Sequence, residues 1–264
     1  MYRRKRSALR RSRKSAKSGV GFAKAVKRVL MRNVETKCIN APHNGIGPSN
    51  TLGQPYPANT GLIYLAKDIF AMPQGSADST AVSATNRVGD RINAKGFLMN
   101  YTFQPKLFYT VGTSNFYIPF VKIRVTAFQA NFGVGNITDS LLYDNNVTAG
   151  AGTTLKPINW GSGYIKSVLY DKVFVVTNNA SGLTGGTTSV QVANWGKCLH
   201  FRKYINLKNK VIDYADNSST SPNATRYPIM VVVSGEYDDY STITPTGTTL
   251  FHMTGATVGW FKDA

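Results

Sequence analysis

The chain has 264 residues and a formal net charge of +18 at pH 7, from 31 Lys and Arg against 13 Asp and Glu. This length suits one large domain, and no apolar run approaches the length of a membrane span or of a secretory signal. The two cysteines, Cys38 and Cys198, lack any metal-ligand spacing, which argues against a metal centre or a disulfide framework. We predict that both are free, buried thiols in a protein made in a reducing compartment.

The chain begins with a basic arm, which we assign to residues 1–33. Residues 1–32 carry 13 of the Lys and Arg and no acidic residue, so everything after them has 18 basic against 13 acidic residues and a net charge of only +5. Self-repulsion at this density opposes folding, and nucleic acid is the natural counterion. The arm residues predicted to bind it are Arg3, Arg4, Lys5, Arg6, Arg10, Arg11, Arg13, Lys14, Lys17, Lys24, Lys27, Arg28 and Arg32.

The arm has two further readings. Residues 3–6 and 10–14, RRKR and RRSRK, also fit a nuclear localisation signal, which is compatible with nucleic-acid binding. Residues 19–32 place apolar and basic side chains at helical spacing, so they form either a short amphipathic helix or a transient turn against the body.

The body, residues 34–264, has the composition of strands and loops. Strands are predicted at 34–40 and 61–70, on either side of a segment rich in Pro and Gly. A sharper strand follows at 97–105, where alternate residues from Phe97 to Phe103 are apolar. One face of that strand should therefore lie in the core.

The next predicted strand, residues 116–128, has an apolar face and a basic face. Val121, Ile123 and Val125 alternate with Lys122 and Arg124, so we predict a half-buried strand whose two cations are exposed and available to nucleic acid. The polar stretch that follows, up to residue 163, is too long for a hairpin loop and should either cover the sheet or project from it.

The remaining strands are predicted at 164–177, 197–207, 227–237 and 249–261. The first is rich in Val and is expected to be buried, and the third is the most continuously apolar and is expected to be central. About eight strands with unequal loops and no helical periodicity outside the arm predict an all-β, two-sheet, eight-strand sandwich of the jelly-roll kind.

One predicted strand mixes cations with an aromatic ring. In residues 200–210, HFRKYINLKNK, strict alternation places Phe201, Lys203, Ile205 and Leu207 on one side and Arg202, Tyr204, Lys208 and Lys210 on the other. A ring among cations suits single-stranded nucleic acid, whose bases stack and whose phosphates need neutralising. The alternative is a solvated outer face, and nearby positions for Lys122 and Arg124 would favour binding.

The sequence offers no catalytic constellation, and we predict neither enzyme activity nor a cofactor or metal. The three histidines are isolated, and residues 148–156 lack the Lys of a phosphate-binding loop. Residues 236–240, EYDDY, fit either a cation site or an exposed strand end.

Several segments resemble capsid proteins of the circular, Rep-encoding single-stranded DNA viruses, circovirus-like and related. These are the basic start, NRVGDRINAKGFLMNYTF at 86–103, FRKYINLKNKVIDYAD at 201–216 leading into PIMVVVSGEY, and the terminal VGWFKDA. Together they cover about a third of the chain, and its long, neutral loops depart from the pattern.

The resemblance implies a capsid protein with a single jelly roll. About 60 copies would close a T=1 icosahedral shell, with the arm inside on a single-stranded DNA genome. It also implies a virion protein that passes through the host nucleus with host import receptors as partners, and a host surface receptor is a further candidate partner. A cellular nucleic-acid-binding jelly-roll module, and the coat protein of a small single-stranded RNA satellite virus, remain alternatives.

Overall fold

The computed structural model describes residues 36–46, 62–72, 87–105, 108–111, 114–117, 120–133, 139–144, 156–177, 197–215, 224–236 and 251–264. Its strands are β1 (Lys37–Ile46), β2 (Leu62–Asp68), β3 (Arg91–Pro105), β4 (Phe108–Val111), β5 (Ser114–Tyr117), β6 (Phe120–Ala130), β7 (Ile165–Thr177), β8 (Leu199–Asp213), β9 (Ile229–Glu236) and β10 (Phe251–Asp263). A short helix α1 (Asp139–Leu142) and a 3₁₀ turn (Trp160–Ser162) lie between β6 and β7.

The eight long strands form two antiparallel four-stranded sheets. Sheet A has the order β1-β10-β3-β8 and sheet B the order β2-β9-β6-β7, while β4 and β5 form a separate hairpin. Among the long strands, the first pairs with the last, the second with the second from last, the third with the third from last, and the middle two with each other. The chain is therefore a nested set of antiparallel pairs, and the predicted two-sheet β architecture is confirmed.

The main core is built from the facing sides of the two sheets. Phe97, Met99, Tyr101 and Phe103 of β3 are buried in it, as their alternation predicts. Strand β9 lies between β2 and β6 and is buried from Ile229 to Gly235, so its predicted central position is also confirmed.

A second core lies on the outer side of sheet B. There Phe128 and Met230 pack against Leu142, Tyr143 and Tyr164 from the segment between β6 and β7. The described parts of that segment, 139–144 and 156–164, therefore cover the sheet, which was one of the two predicted outcomes.

Three local predictions need correction. Strand β7 is not a buried strand: it is the edge of sheet B, with a neighbour on one side only, and Val175 is 60% exposed. Cys38 and Cys198 are free but exposed, because Cys38 points away from the core on β1 and Cys198 lies just before β8. The β4–β5 hairpin was not predicted as two strands.

Candidate nucleic-acid interface

The thirteen arm cations predicted to bind nucleic acid lie outside the described residues. The structure does show where the arm joins the body. Thr36 immediately precedes β1, and Lys37, its first residue, pairs with Phe261 near the end of β10. Thr36, the described residue nearest to the arm in sequence, therefore lies at the β1 side of sheet A.

The prediction that Lys122 and Arg124 form an exposed basic face is wrong for Arg124. Lys122 is partly exposed, whereas Arg124 is only 5% exposed. Both are on the outer side of sheet B, and Arg202 and Tyr204 are on the outer side of sheet A. The two groups lie on opposite faces of the sandwich, so Lys122 and Arg124 do not add to a binding surface at Arg202 and Tyr204.

Arg124 is buried because the segment between β6 and β7 folds over it. Its guanidinium donates to both carboxylate oxygens of Asp171, at 2.8 and 2.7 Å, and to the backbone oxygen of Lys156 at 2.6 Å. The ring of Tyr143 lies 4.5 Å from the guanidinium carbon. Sequence alternation assigns Arg124 to the correct side of β6, but it contains no information on what covers that side.

Arg202 and Tyr204 occupy the positions predicted for them. Both are exposed on the outer side of sheet A, where they pair with Asn100 and Leu98 of β3, and Tyr204 is 52% exposed. Phe201 is buried on the opposite side, in the core. The predicted alternation holds for this half of the strand.

A bulge in β8 breaks the alternation after Asn206. Asn206 pairs with Gly96, and Lys210 pairs with Ala94. The three β8 residues 207–209 therefore lie opposite a single β3 residue, Lys95. Lys208 and Asn209 within the bulge have left-handed backbone angles, φ 53° and 58°. Lys208 is exposed there, and its N–H donates to Asn206 Oδ1 at 2.8 Å.

The bulge places Lys210 on the inner side, contrary to the prediction. Its Nζ donates to Oε1 of the buried Gln129 of β6 at 2.9 Å. Because the bulge, with its two left-handed residues, interrupts the alternation of β8, Lys210 shares a side with the buried Ile212 rather than with Arg202 and Tyr204.

Sequence analysis missed Trp260, which lies beside Tyr204. Trp260 follows the inward-facing Gly259 and precedes the inward-facing Phe261, so it faces outward, where it pairs with Gly96. Its ring centroid is 5.9 Å from that of Tyr204. The buried Phe261 was a usable signal, since a residue adjacent to a buried one in a strand faces the other way. The proximity of Trp260 to Tyr204, which lies 56 positions earlier in the chain, could not be read from the sequence.

The two rings, Lys95 and Thr36 occupy one corner of sheet A. Lys95 is the β3 residue opposite the bulge, and its Nζ donates to Thr36 Oγ1 at 2.8 Å, across β10. A Cβ on Gly96 would lie 2.7 Å from Cζ of Tyr204, so the glycine lets the tyrosine ring lie against the sheet.

Charge is distributed unequally between the sheets. The strands of sheet A contain eight Lys and Arg against two Asp, a net charge of +6, and the strands of sheet B contain five against three acidic residues, a net charge of +2. Asp213 and Asp263, the acidic residues of sheet A, lie at strand ends, where they pair with Arg91 and Lys37. No carboxylate lies in those strands beside the aromatic corner.

The described residues contain no group of three or more His, Cys, Asp or Glu that could hold a metal ion. None of the helices in that part of the chain is long and apolar enough to span a membrane. The acidic cluster at 236–240 lies outside it, apart from Glu236.

No protein-family model matches the chain, and no curated protein is significantly similar to it.

Proposed function

We propose that this chain is a viral capsid protein that assembles into a small icosahedral shell and packages a single-stranded DNA genome. The observation that carries the proposal is the combination of nested strand pairing with a +13 arm at the start of the first strand. The proposal assigns no catalytic step to the chain.

The strand pairing supports a jelly roll. Folding one long antiparallel hairpin and rolling it up pairs the strands from the outside inward, as is found for the eight long strands here. Every connection between consecutive long strands passes from one sheet to the other, except that between β6 and β7. Jelly rolls of this kind are common in viral capsid and lectin domains, and the arm favours a capsid, because sugar binding gains nothing from thirteen cations.

The surface supports self-association. Val173 and Val175 lie on the outer side of the edge strand β7, and Trp160 and Phe132 are also exposed, at 57% and 44%. Large exposed apolar side chains are typical of surfaces that another protein covers. In a shell, neighbouring subunits would bury them.

The charge distribution supports packaging. The cations of the arm neutralise phosphates without reading the base sequence, and the net +6 on sheet A extends the same potential onto the folded body. A genome of any sequence can be bound in this way.

Size-exclusion chromatography and electron microscopy of the full chain test the assembly. We expect particles in the void volume that contain nucleic acid, and a monomer or small oligomer that only binds oligonucleotides would favour a cellular module instead. Digestion of the extracted nucleic acid with DNase or RNase then decides between a DNA genome and the RNA genome of a satellite virus.

A further inference from the structure

We propose that Tyr204 and Trp260 form a base-stacking site for single-stranded nucleic acid on the outer face of sheet A, with Lys95, Arg202 and Lys208 beside it. The inference rests on the proposed function and deepens it. It adds a specific, ordered contact to the charge-driven binding by the arm.

The first support is the geometry of the rings. The two centroids are 5.9 Å apart and the ring planes are inclined by 59°, so the rings form a corner and not a closed stack. Tyr204 is 52% exposed although it lies against Gly96, which leaves surface on the ring for a base. Nucleobases bind such platforms with little regard to sequence.

The second support is the charge around the rings. Arg202 lies two residues before Tyr204 on the same face, about 7 Å along the strand. Lys95 adjoins Gly96, and Lys208 is exposed in the bulge just beyond Asn206. A strand of nucleic acid with a base on Tyr204 would have cations for its neighbouring phosphates and no carboxylate of the sheet A strands to repel them.

The third support is the position of the arm. Lys95 Nζ is hydrogen-bonded to Thr36, which follows the last residue of the arm by three positions. A polynucleotide held by the arm is therefore delivered to the aromatic corner, so the stacking step is intramolecular and takes place at high effective concentration.

Photo-cross-linking of the full chain tests the site directly. A short single-stranded oligodeoxynucleotide with 5-iodouracil, which cross-links to aromatic rings in stacking contact, is irradiated on the protein, and mass spectrometry identifies the attached peptides. We expect cross-links at Tyr204 or Trp260. Cross-links confined to residues 1–35, or to Trp160 in the 3₁₀ turn before β7, would overturn the proposal while leaving packaging by the arm intact.

Binding measurements on variants provide a second, quantitative test with oligo(dT). Tyr204→Leu should weaken binding roughly tenfold without changing the salt slope, whereas Tyr204→Phe should retain the parent affinity. Arg202→Gln should lower the salt slope by about one. The matched control is Trp160→Leu, which removes a similarly exposed ring from the 3₁₀ turn before β7 and should leave binding unchanged.

Three other results of the binding measurements would contradict the stacking site or the proposed function. If Tyr204→Leu abolishes particles and spares oligo(dT) binding, the corner is a contact between subunits and the proposal is wrong. Equal losses for single-stranded and duplex DNA would also contradict stacking. If the parent protein binds no nucleic acid, the proposed function itself fails. If Tyr204→Leu does not fold, the cross-links on the parent protein decide whether the stacking site exists.

Discussion

Arg124 shows how one side chain can look like a ligand contact and serve the fold instead. Its guanidinium joins β6, β7 and the covering segment through Asp171, Tyr143 and the Lys156 carbonyl. Removing Arg124 leaves the Asp171 carboxylate without its cation, with the Thr126 hydroxyl still donating to it at 3.0 Å, and takes a donor from the Lys156 carbonyl. Replacing Arg124 is therefore expected to lower the stability of the fold and not the affinity for nucleic acid.

We expect Arg124→Met to lower the free energy of unfolding by about 3 kcal/mol, the low end for a broken buried pair because Asp171 is partly exposed. Urea denaturation measures this. The control is Lys122→Gln, two residues earlier on the same side of β6 and partly exposed, which should stay within about 0.5 kcal/mol of the parent. A smaller loss for Arg124→Met than for Lys122→Gln would contradict the structural role.

Asp68 is a second residue whose burial has a measurable consequence. Its carboxylate, at the end of β2, accepts hydrogen bonds from the N–H groups of Phe70 at 3.0 Å and Ala224 at 3.3 Å. Burial raises the pKa of Asp68 to about 6, and the two N–H groups oppose that rise only in part. The folded protein therefore binds a proton more tightly than the unfolded chain, in which the pKa is near 3.8.

Asp68 should make the fold less stable as the pH rises. The stabilisation that the protonated Asp68 contributes to the fold is fully present below about pH 4 and is lost as the pH rises through about 6. The free energy of unfolding should fall by about 3 kcal/mol over this range. In Asp68→Asn this dependence should disappear. Chemical denaturation of both proteins between pH 4 and pH 8 measures it, and parallel pH profiles would show that Asp68 is not the source.

At the scale of the strands, backbone irregularities decide which side chains face outward. The β8 bulge turns Lys210 inward, and Lys95 of β3 is an extra residue between the partners of Trp260 and Phe261. Gly255 of β10 is a third irregularity, with φ 139° and the β3 backbone directly against it.

We expect Gly255→Ala to disrupt the β10–β3 pairing. A Cβ there would lie 2.9 Å from the Cα of Tyr101 and still closer to the Asn100 carbonyl oxygen, and backbone atoms cannot rotate away as a side chain can. The expected loss is about 2–3 kcal/mol or more, from strain together with the forced shift. Thermal unfolding measures it, with Gly161→Ala as control: this glycine is exposed, and its Cβ would meet only Asn159 Oδ1, at 3.4 Å. Equal melting temperatures for the two variants would contradict the expectation.

At the scale of the whole molecule, the arm and the body divide the work. In the part of the chain that the structure describes, the residues of both cores lie between Ile39 and Phe261. Deleting residues 1–32 should leave the thermal transition close to that of the full chain and abolish retention of nucleic acid, because 13 of the 31 cations are lost. Calorimetry and the ratio of absorbance at 260 and 280 nm measure the two effects; an unfolded deletion variant would contradict the division.

The charge of the assembly predicts the amount of nucleic acid that it packages. About 60 arms carry about 780 positive charges and 60 whole chains about 1,080, against one phosphate per nucleotide. The shell should therefore suit on the order of 1,000 nucleotides, with a few-fold latitude from mobile cations. Extraction and sizing of the packaged nucleic acid test this, and a genome above roughly 5,000 nucleotides would mean a larger shell or a different source of neutralisation.

The sequence by itself determined the β class, the central position of β9, the inward face of β3 and the concentration of charge in the arm. Those features follow from local pattern: alternation fixes which residues of a strand share a side, and charge density is read directly from composition. The same local rule correctly placed Arg202 and Tyr204 on the outer side.

Only the tertiary structure decided what lies against each of those sides. Local pattern could not show that the segment before β7 buries Arg124, that the bulge in β8 turns Lys210 inward, or that Trp260 stands beside Tyr204. Each depends on residues far apart in sequence or on an irregular backbone, and a periodic pattern encodes neither. The placement of Thr36 and the first residues of β1 near this aromatic corner has the same origin, since it arises from the pairing of the first strand with the last.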